Sequence, residues 1–505
     1  MIHDRNREYI ERFGASAPHR IEEPLRVEIG PEWVSNRNAQ NAFLVAVNLA
    51  TRFTDSVVID SPRAAPLDVW HPIGVSEDLR TRALEICEMV NHPAVSADAQ
   101  ITVSFGGRKG EGFVIRPSVH GWVAEVETDG SLPSPPGDAY NPLSSGFAAC
   151  LAMSEAFKEF LVKIRATRLL PHRNLAFSLL TMDTTRDGMD QSYPFASDVG
   201  LLTVVGAGAL GHSLAYGFCA GGHRGTIHIV DDDTLDSTNM NRHIMVGAGA
   251  RGNKATVLAA AIGQPLQAVP SPESYENYRV RPGIHLERVV SLVDDRNRNE
   301  TRRQIQSDLP QALHHGATGE TSFTILNVDF VRAGCLGCLF APPMEEIAPA
   351  KALANLTGLP VDRVVRLGTT GLLQPEDLEV VGRARGYDPK ELRAFLGQPV
   401  QSLIDSKICG EQSVMTPAGR LTASVGFLSA AAGLAVAAEV VKVTSGMWKW
   451  ALDNFLQVSP FSPGDRVRRL FPKDPRCSVL CSDPLMQRSF LGKWQSRSSD
   501  ALAHG

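Results

Sequence analysis

The chain has 505 residues, 43% of them apolar and 21% charged, with a formal net charge of −5. That length allows two or three domains with substantial cores, and the composition is that of a folded protein rather than a disordered or fibrous one. The mild acidity argues against a nucleic-acid surface. No apolar run reads as a membrane span, and the charged start MIHDRNREYIERF does not read as a signal peptide, so the cytoplasm is the default expectation.

In chain order, residues 1–30 read as a charged helical lead-in. AQNAFLVAVNLATRF then predicts a helix and SVVID a strand. A helix over about 77–91 precedes the strand ITVSF, and GFVIRPSVHGWVAEVET alternates around turn residues as a hairpin does. SLPSPPGDAYNPLSS is a loop, 146–162 an alanine-rich helix and LAFSLLTMD a strand. DTTRDGMDQSYPFASDV is a polar linker. These elements define an N-terminal α/β domain over 1–190. From 195 to 485 strands and helices alternate as in a doubly wound, Rossmann-like parallel sheet, interrupted by a polar helical insertion over 346–408 and a loop over 406–422. WALDNFLQVS and DRVRRLFPK read as closing strands, and 486–505 as a polar, loosely ordered tail.

The most informative stretch runs from Leu201 to Lys254. A β-branched strand meets Gly206, Gly208 and Gly211, an apolar helix follows, and a second strand ends on Asp231. An acid about 20 residues past the last glycine has the spacing of a ribose-binding carboxylate. Gly206 makes the turn, Gly208 lets backbone approach phosphate, and Gly211 lets helix and strand close up, while amides at the helix start favour an anion. Asp233, Asn239, Asn241, Arg242 and Lys254 follow, a set of polar and cationic groups suited to a triphosphate. A nicotinamide-dependent oxidoreductase would use the same glycines and Asp231, but it leaves Asn241, Arg242 and Lys254 without a task.

Eight cysteines in a chain of this class read as metal, catalytic or buried thiols. Cys335 and Cys338 form CLGC after a strand, and Cys477 and Cys481 form CSVLC after another. Two such pairs suit a closed, structural Zn²⁺ site; two unrelated pairs of buried thiols is the alternative. Cys87, Cys150 and Cys219 lie in apolar helical contexts as core residues. Cys409 sits in the polar SKICGEQS, beside Lys407, where a thiolate would be favoured; a loop cysteine with no role is the other reading.

The order D-x-D, N-x-N-R, G-x-x-K resembles the nucleotide motif of the ThiF-like family, which includes adenylyltransferases of sulfur carriers and the ubiquitin-activating enzymes. The resemblance implies that Arg242 and Lys254 hold ATP phosphates and that Asp294 or Asp295, after the strand RVVSLV, holds Mg²⁺. It strengthens the zinc reading, although C-x-x-x-C departs from the family's second pair. It also implies that Cys409, in a crossover loop, forms a thioester with a ubiquitin-like protein and passes it to a conjugating enzyme; adenylation without a thioester, for sulfur transfer or peptide modification, is the alternative. SSGFAACLAMSEAFK (Ser144 to Lys158) resembles SVGFLSAAAGLAVAAEVVK (Ser424 to Lys442). On that echo the N-terminal region is an inactive adenylation-like copy, as in many ubiquitin-activating enzymes; an unrelated partner-binding module is the alternative. Such an internal pair could stand in for the homodimer common in this family, and a homodimer is the other expectation.

Overall fold

A computed structural model describes residues 6, 9–10, 23–106, 112–131, 134–166, 170–284, 286–293, 299–319, 321–339, 354, 357–367, 371–385, 387–388, 392–403, 414–416, 419–421, 425–464, 466–474, 477, 481 and 483–502. They fall into two compact units, Met1–Phe340 with Ser424–Gly505, and Ala341–Ala423. Residues on both sides of the expected 190/195 division lie in the first unit.

The N-terminal half begins with strand β1 (Leu25–Ile29), where the sequence suggests part of a helical lead-in. Four of its five residues are buried, and it pairs in parallel with β2 (Val57–Asp60) on one side and β3 (Ile101–Phe105) on the other. That central place in the sheet overrides a weak local preference. Helix α1 (Arg37–Thr51) connects β1 to β2, and α2 (Leu79–Val90) follows. Strands β4 (Phe113–His120) and β5 (Val123–Glu127) form the expected antiparallel hairpin, and α3 (Pro142–Lys163) leads to β6 (Leu175–Ser178). The sheet order is β2-β1-β3-β4-β5-β6, parallel through β4 and antiparallel after it.

The second half repeats this plan. Strand β7 (Asp198–Val205), helix α4 (Ala209–Ala220) and strand β8 (Arg224–Val230) form the glycine-rich unit. A two-residue ladder, β9 (Thr234–Leu235) with β10 (Gly252–Asn253), leads into α5 (Lys254–Ala261) and β11 (Leu266–Ser271). Then come α6 (Tyr275–Arg279), β12 (Arg288–Ser291), α7 (Asn299–Ser307), β13 (Ala312–Thr318) and β14 (Phe323–Asn327).

The other compact unit follows. It contains α8 (Val361–Leu367), α9 (Pro375–Arg385) and the hairpin β15 (Val414–Thr416) with β16 (Gly419–Leu421). Its own small core includes Leu359, Val364, Leu373, Val381 and Leu403.

Helix α10 (Gly426–Thr444), strands β17 (Phe455–Val458) and β18 (Val467–Arg469), and helix α11 (Pro484–Leu502) complete the first unit. The sheet order is β11-β8-β7-β12-β13-β14-β17-β18, parallel through β13 and antiparallel beyond it. Matched strand for strand, β1 to β6 correspond in order and sense to β7, β8, β12, β13, β14 and β17, so α3 and α10 stand at equivalent places.

Two expectations change here. Helix α10 has the length and hydropathy to cross a membrane, against the expectation that no apolar run does, and every residue of its apolar window is buried. It packs on α4 and on α3, and α3 packs on α1, giving a row of helices in which the two halves meet. The expected polar tail is the helix α11, anchored by Trp494 Nε1 donating to Leu309 O at 2.9 Å and by Phe490 against Phe330.

Candidate nucleotide site and cysteine cluster

After β7 the chain turns at Gly206, whose φ of +105° suits glycine. A Cβ there would lie 2.8 Å from Leu292 O. Gly211, in the first turn of α4, sits on that turn, and a Cβ would meet Gly206 O at 2.6 Å. Gly208 is different in kind. It is the N-cap of α4 with no side-chain bond to the helix amides, and a Cβ would find no atom within 4 Å. The space beside this N-cap, at the positive end of a 12-residue helix, is therefore open, and a helix start left uncapped in this way can attract a phosphate.

The equivalent place in the N-terminal half is filled. Asn36 caps α1 by accepting from Ala39 N. Asn38 Nδ2 donates to Gly137 O and Ala139 O at 2.8 and 2.9 Å, and Asn36 Nδ2 donates to Pro136 O and Gly137 O. The Arg37 guanidinium lies 4.0 Å above the Tyr140 ring. Loop carbonyls and an aromatic ring occupy the helix start.

Strand β8 delivers Asp231 to the glycine-rich turn. Its carboxylate accepts from Ala207 N at 2.7 Å and from Asp233 N at 2.9 Å. Burial pushes its pKa above the usual carboxylate value, opposed by the Lys254 charge and by those two amides. Lys254 Nζ pairs with Asp233 Oδ2 at 2.9 Å, with Asp233 the more exposed partner. Gly206, Asp231, Asp233 and Lys254 thus belong to one hydrogen-bonded turn. On the next loop, Asn239 closes a capping box with Asp236, so its carboxamide has a local structural task. Asn241 is fully buried and accepts from Arg242 Nη1 at 2.8 Å. Arg242 also donates to Thr238 O and is half-buried.

Asp294 and Asp295 lie outside the described residues, as does Cys409. The other cysteines behave as the sequence suggests. Burial pushes the thiols of Cys87 and Cys219 up to about 12 and about 11 and raises Cys150 as well, which suits core residues and not nucleophiles. Cys335, Cys338, Cys477 and Cys481 converge, with sulfurs separated by 3.8 Å (Cys335–Cys338), 3.6 Å (Cys335–Cys477) and 3.2 Å (Cys338–Cys481). A tetrahedral zinc at about 2.3 Å from each sulfur would set them roughly 3.8 Å apart, so the four-cysteine cluster has the dimensions to hold that ion. The longer spacing of the second pair is no obstacle.

Three features escaped the sequence reading. Asn253 donates to Asp231 O and Asp233 O at 2.8 and 3.1 Å while capping α5; an asparagine just ahead of a helix is a readable signal. The rings of His212 and His243 pack at a tilt of 37° with centroids 4.3 Å apart, and neither ring nitrogen of His212 has a hydrogen-bond partner among the described residues. Burial, aided by the charges of Arg52 and Lys254, holds His212 down at about 3. Arg52 reaches the Asn241 loop from the N-terminal half. No local motif marks either contact.

Comparison with known proteins finds two matching families on separate stretches of the chain. Residues 24–179 match a family described as the BilD N-terminal domain, and residues 200–276 match the ThiF family. The adenylyltransferase and sulfurtransferase UBA4 of Lodderomyces elongisporus is 26% identical over 233 residues, 43% of this chain and 50% of that protein. Residues 200–276 are a ThiF-family segment, and the two matches together support a place for the chain in the ThiF-like adenylyltransferase superfamily. Another relative of this ThiF-like chain, the uncharacterized protein y4jF of Sinorhizobium fredii, is 26% identical over 376 residues, 72% of the chain and 71% of the relative. Among solved structures, E. coli MccB with MccA-N7isoASN is 12% identical, covering 73% of this chain and 98% of MccB, with a TM-score of 0.37.

Proposed function

We propose that this ThiF-like chain is an ATP-dependent activating enzyme for a ubiquitin-like protein. The observation that carries this reading is the bare start of α4 at Gly208, near a turn that holds Lys254. The matching helix start in the N-terminal half is filled by loop 134–141. In this reading residues 1–190 are an inactive adenylation-like domain and 195–485 the active one, with 346–408 inserted and 406–422 as the crossover loop. The shared strand order supports it.

The amides at Gly208, with Lys254 and Arg242, bind and orient the triphosphate of ATP, Lys254 exchanging Asp233 for phosphate. Asp231 and Asp233 face the ribose side of the turn. A carboxylate oxygen from the partner's C-terminus attacks the α-phosphorus and the bond to the β-phosphate oxygen breaks. Pyrophosphate leaves, its charge offset by the two cations, and an acyl-adenylate remains. The Cys409 thiolate then attacks the acyl carbon and AMP departs, leaving a thioester for transfer to a conjugating enzyme. Asp294 or Asp295 would hold Mg²⁺, which supplies charge neutralisation to the phosphates. Cys335, Cys338, Cys477 and Cys481 would hold Zn²⁺, which supplies folding energy and no chemistry.

The name of the UBA4 relative favours a second reading, adenylation followed by sulfur transfer. Intact mass and pyrophosphate release, measured with ATP·Mg and a ubiquitin-like protein, separate the two. A thiol-sensitive adduct that disappears in Cys409→Ala, with pyrophosphate release retained, is the expected result. Release with no adduct on the enzyme would select the second reading, and absence of both ATP binding and release would sink the two together.

A further inference from the structure

The C-terminal end of α1 carries a guanidinium with an unusual set of partners. Arg52 is 1% exposed. Its Nη1 donates to Met240 O, its Nη2 to Val246 O at 2.7 Å and its Nε to Asn48 Oδ1 at 2.8 Å. Asn48, one turn earlier, donates its own amide to Ile244 O at 2.8 Å. Asn6 closes the ring: it donates to Arg52 O at 2.7 Å and accepts from Asn241 Nδ2 at 3.3 Å. Three carbonyls of one loop, at 240, 244 and 246, are therefore gripped from the N-terminal half, and Arg242 lies between them.

No carboxylate pairs with Arg52 among the described residues, and burial pulls its pKa down to about 9. A buried cation held only by neutral carbonyls is costly as a packing device. A neutral side chain could fill the space, but it could not span two carbonyls with a planar fork.

We infer that Arg52 and Asn48 are positioning residues: they fix the loop that aims Arg242, so ATP affinity depends on a half that has no nucleotide site of its own. The inference rests on the reading above, that the 239–254 segment binds ATP. It adds a dependence that no phosphate-binding motif contains, because both residues lie in the other half of the chain.

The test is a double-mutant cycle on the full chain, read as ATP·Mg affinity by calorimetry. Arg52→Lys keeps the charge and loses the fork; Arg242→Ala removes the group being aimed. Arg52→Lys is expected to weaken ATP about tenfold, the scale of a lost charge-assisted hydrogen bond, and Asn48→Ala about threefold. In the Arg242→Ala background the Arg52→Lys effect should shrink to less than about twofold, since there is nothing left to aim. A structural role alone would leave the effect undiminished in that background, and that result overturns the inference, as does wild-type affinity in Arg52→Lys. Should Arg52→Lys fail to fold, the same cycle with Asn48→Ala decides. Absence of ATP binding by the wild-type chain would instead overturn the functional reading itself.

Discussion

Gly206 and Gly208 are two residues apart and answer to opposite constraints. At Gly206 the backbone has a positive φ and Leu292 O closes the space. Gly206→Ala should therefore cost about 1–3 kcal/mol of stability, visible in chemical denaturation whether or not nucleotide is present. Gly208 has an ordinary φ of −77° and open space before it. Gly208→Ala should leave the ligand-free stability within about 0.5 kcal/mol and still abolish most pyrophosphate release, because the methyl would stand where phosphate approaches the amides. Equal losses of stability in the two variants would refute this division. Lys254 shows the same economy at a side chain: with Asp233 as its partner it is held near the turn, and if it binds phosphate as proposed this lowers the entropy lost on binding.

At the scale of elements, the cysteine cluster ties two distant stretches together, the segment after β14 and the segment between β18 and α11. If the cluster holds zinc as proposed, a strong chelator, like Cys481→Ser, is expected to remove hydrogen-exchange protection from α11 before the parallel sheet loses any. Retained protection in α11 after metal removal would show that Trp494 and Phe490 suffice to hold it. The cluster and the glycine turn were legible in the sequence because their chemistry is encoded at short spacing: three glycines and an acid, or two cysteines beyond a strand end. What was not legible depends on partners far along the chain. Asn41 and Asn48 read as ordinary polar positions of α1, yet both are buried. Asn41 accepts from Tyr216 OH at 2.7 Å, and Asn48 serves a loop 196 residues away. Strand β1 was missed because its charged neighbours suggest a lead-in, and only pairing on both edges makes it central. In α10 the apolar run reads as a helix, but the expectation that no run reaches membrane length fails there; the buried pair of Lys442 with Glu439 at 2.5 Å marks it as a core helix.

For the molecule as a whole, buried histidines set the response to acid. His71, His212 and His315 are held down at about 3 and His223 at about 4, and His243 lies well below its usual value, in each case chiefly by burial. Their folded values lie below the unfolded one near 6.5, so the unfolded chain takes up the protons first. This stability is fully present above about pH 6.5 and is lost as pH falls toward the folded values, by up to about 1.4 kcal/mol per pH unit for each group. Urea denaturation at pH 7.5, 6.5 and 5.5 should show a fall across the second interval about three times that across the first; a flat profile would mean these imidazoles are hydrated or paired. Lys442 bears on the same scale, since it donates to Leu179 O and Leu180 O of the N-terminal half and so fastens one half to the other beside the α3–α10 contact. Because that contact lies within a single polypeptide, dilution cannot separate the halves as it separates two subunits. A scarce protein keeps the same contact between its halves as an abundant one. Nor does any symmetry operator oblige the two faces to match, so the chain can vary one face without varying the other.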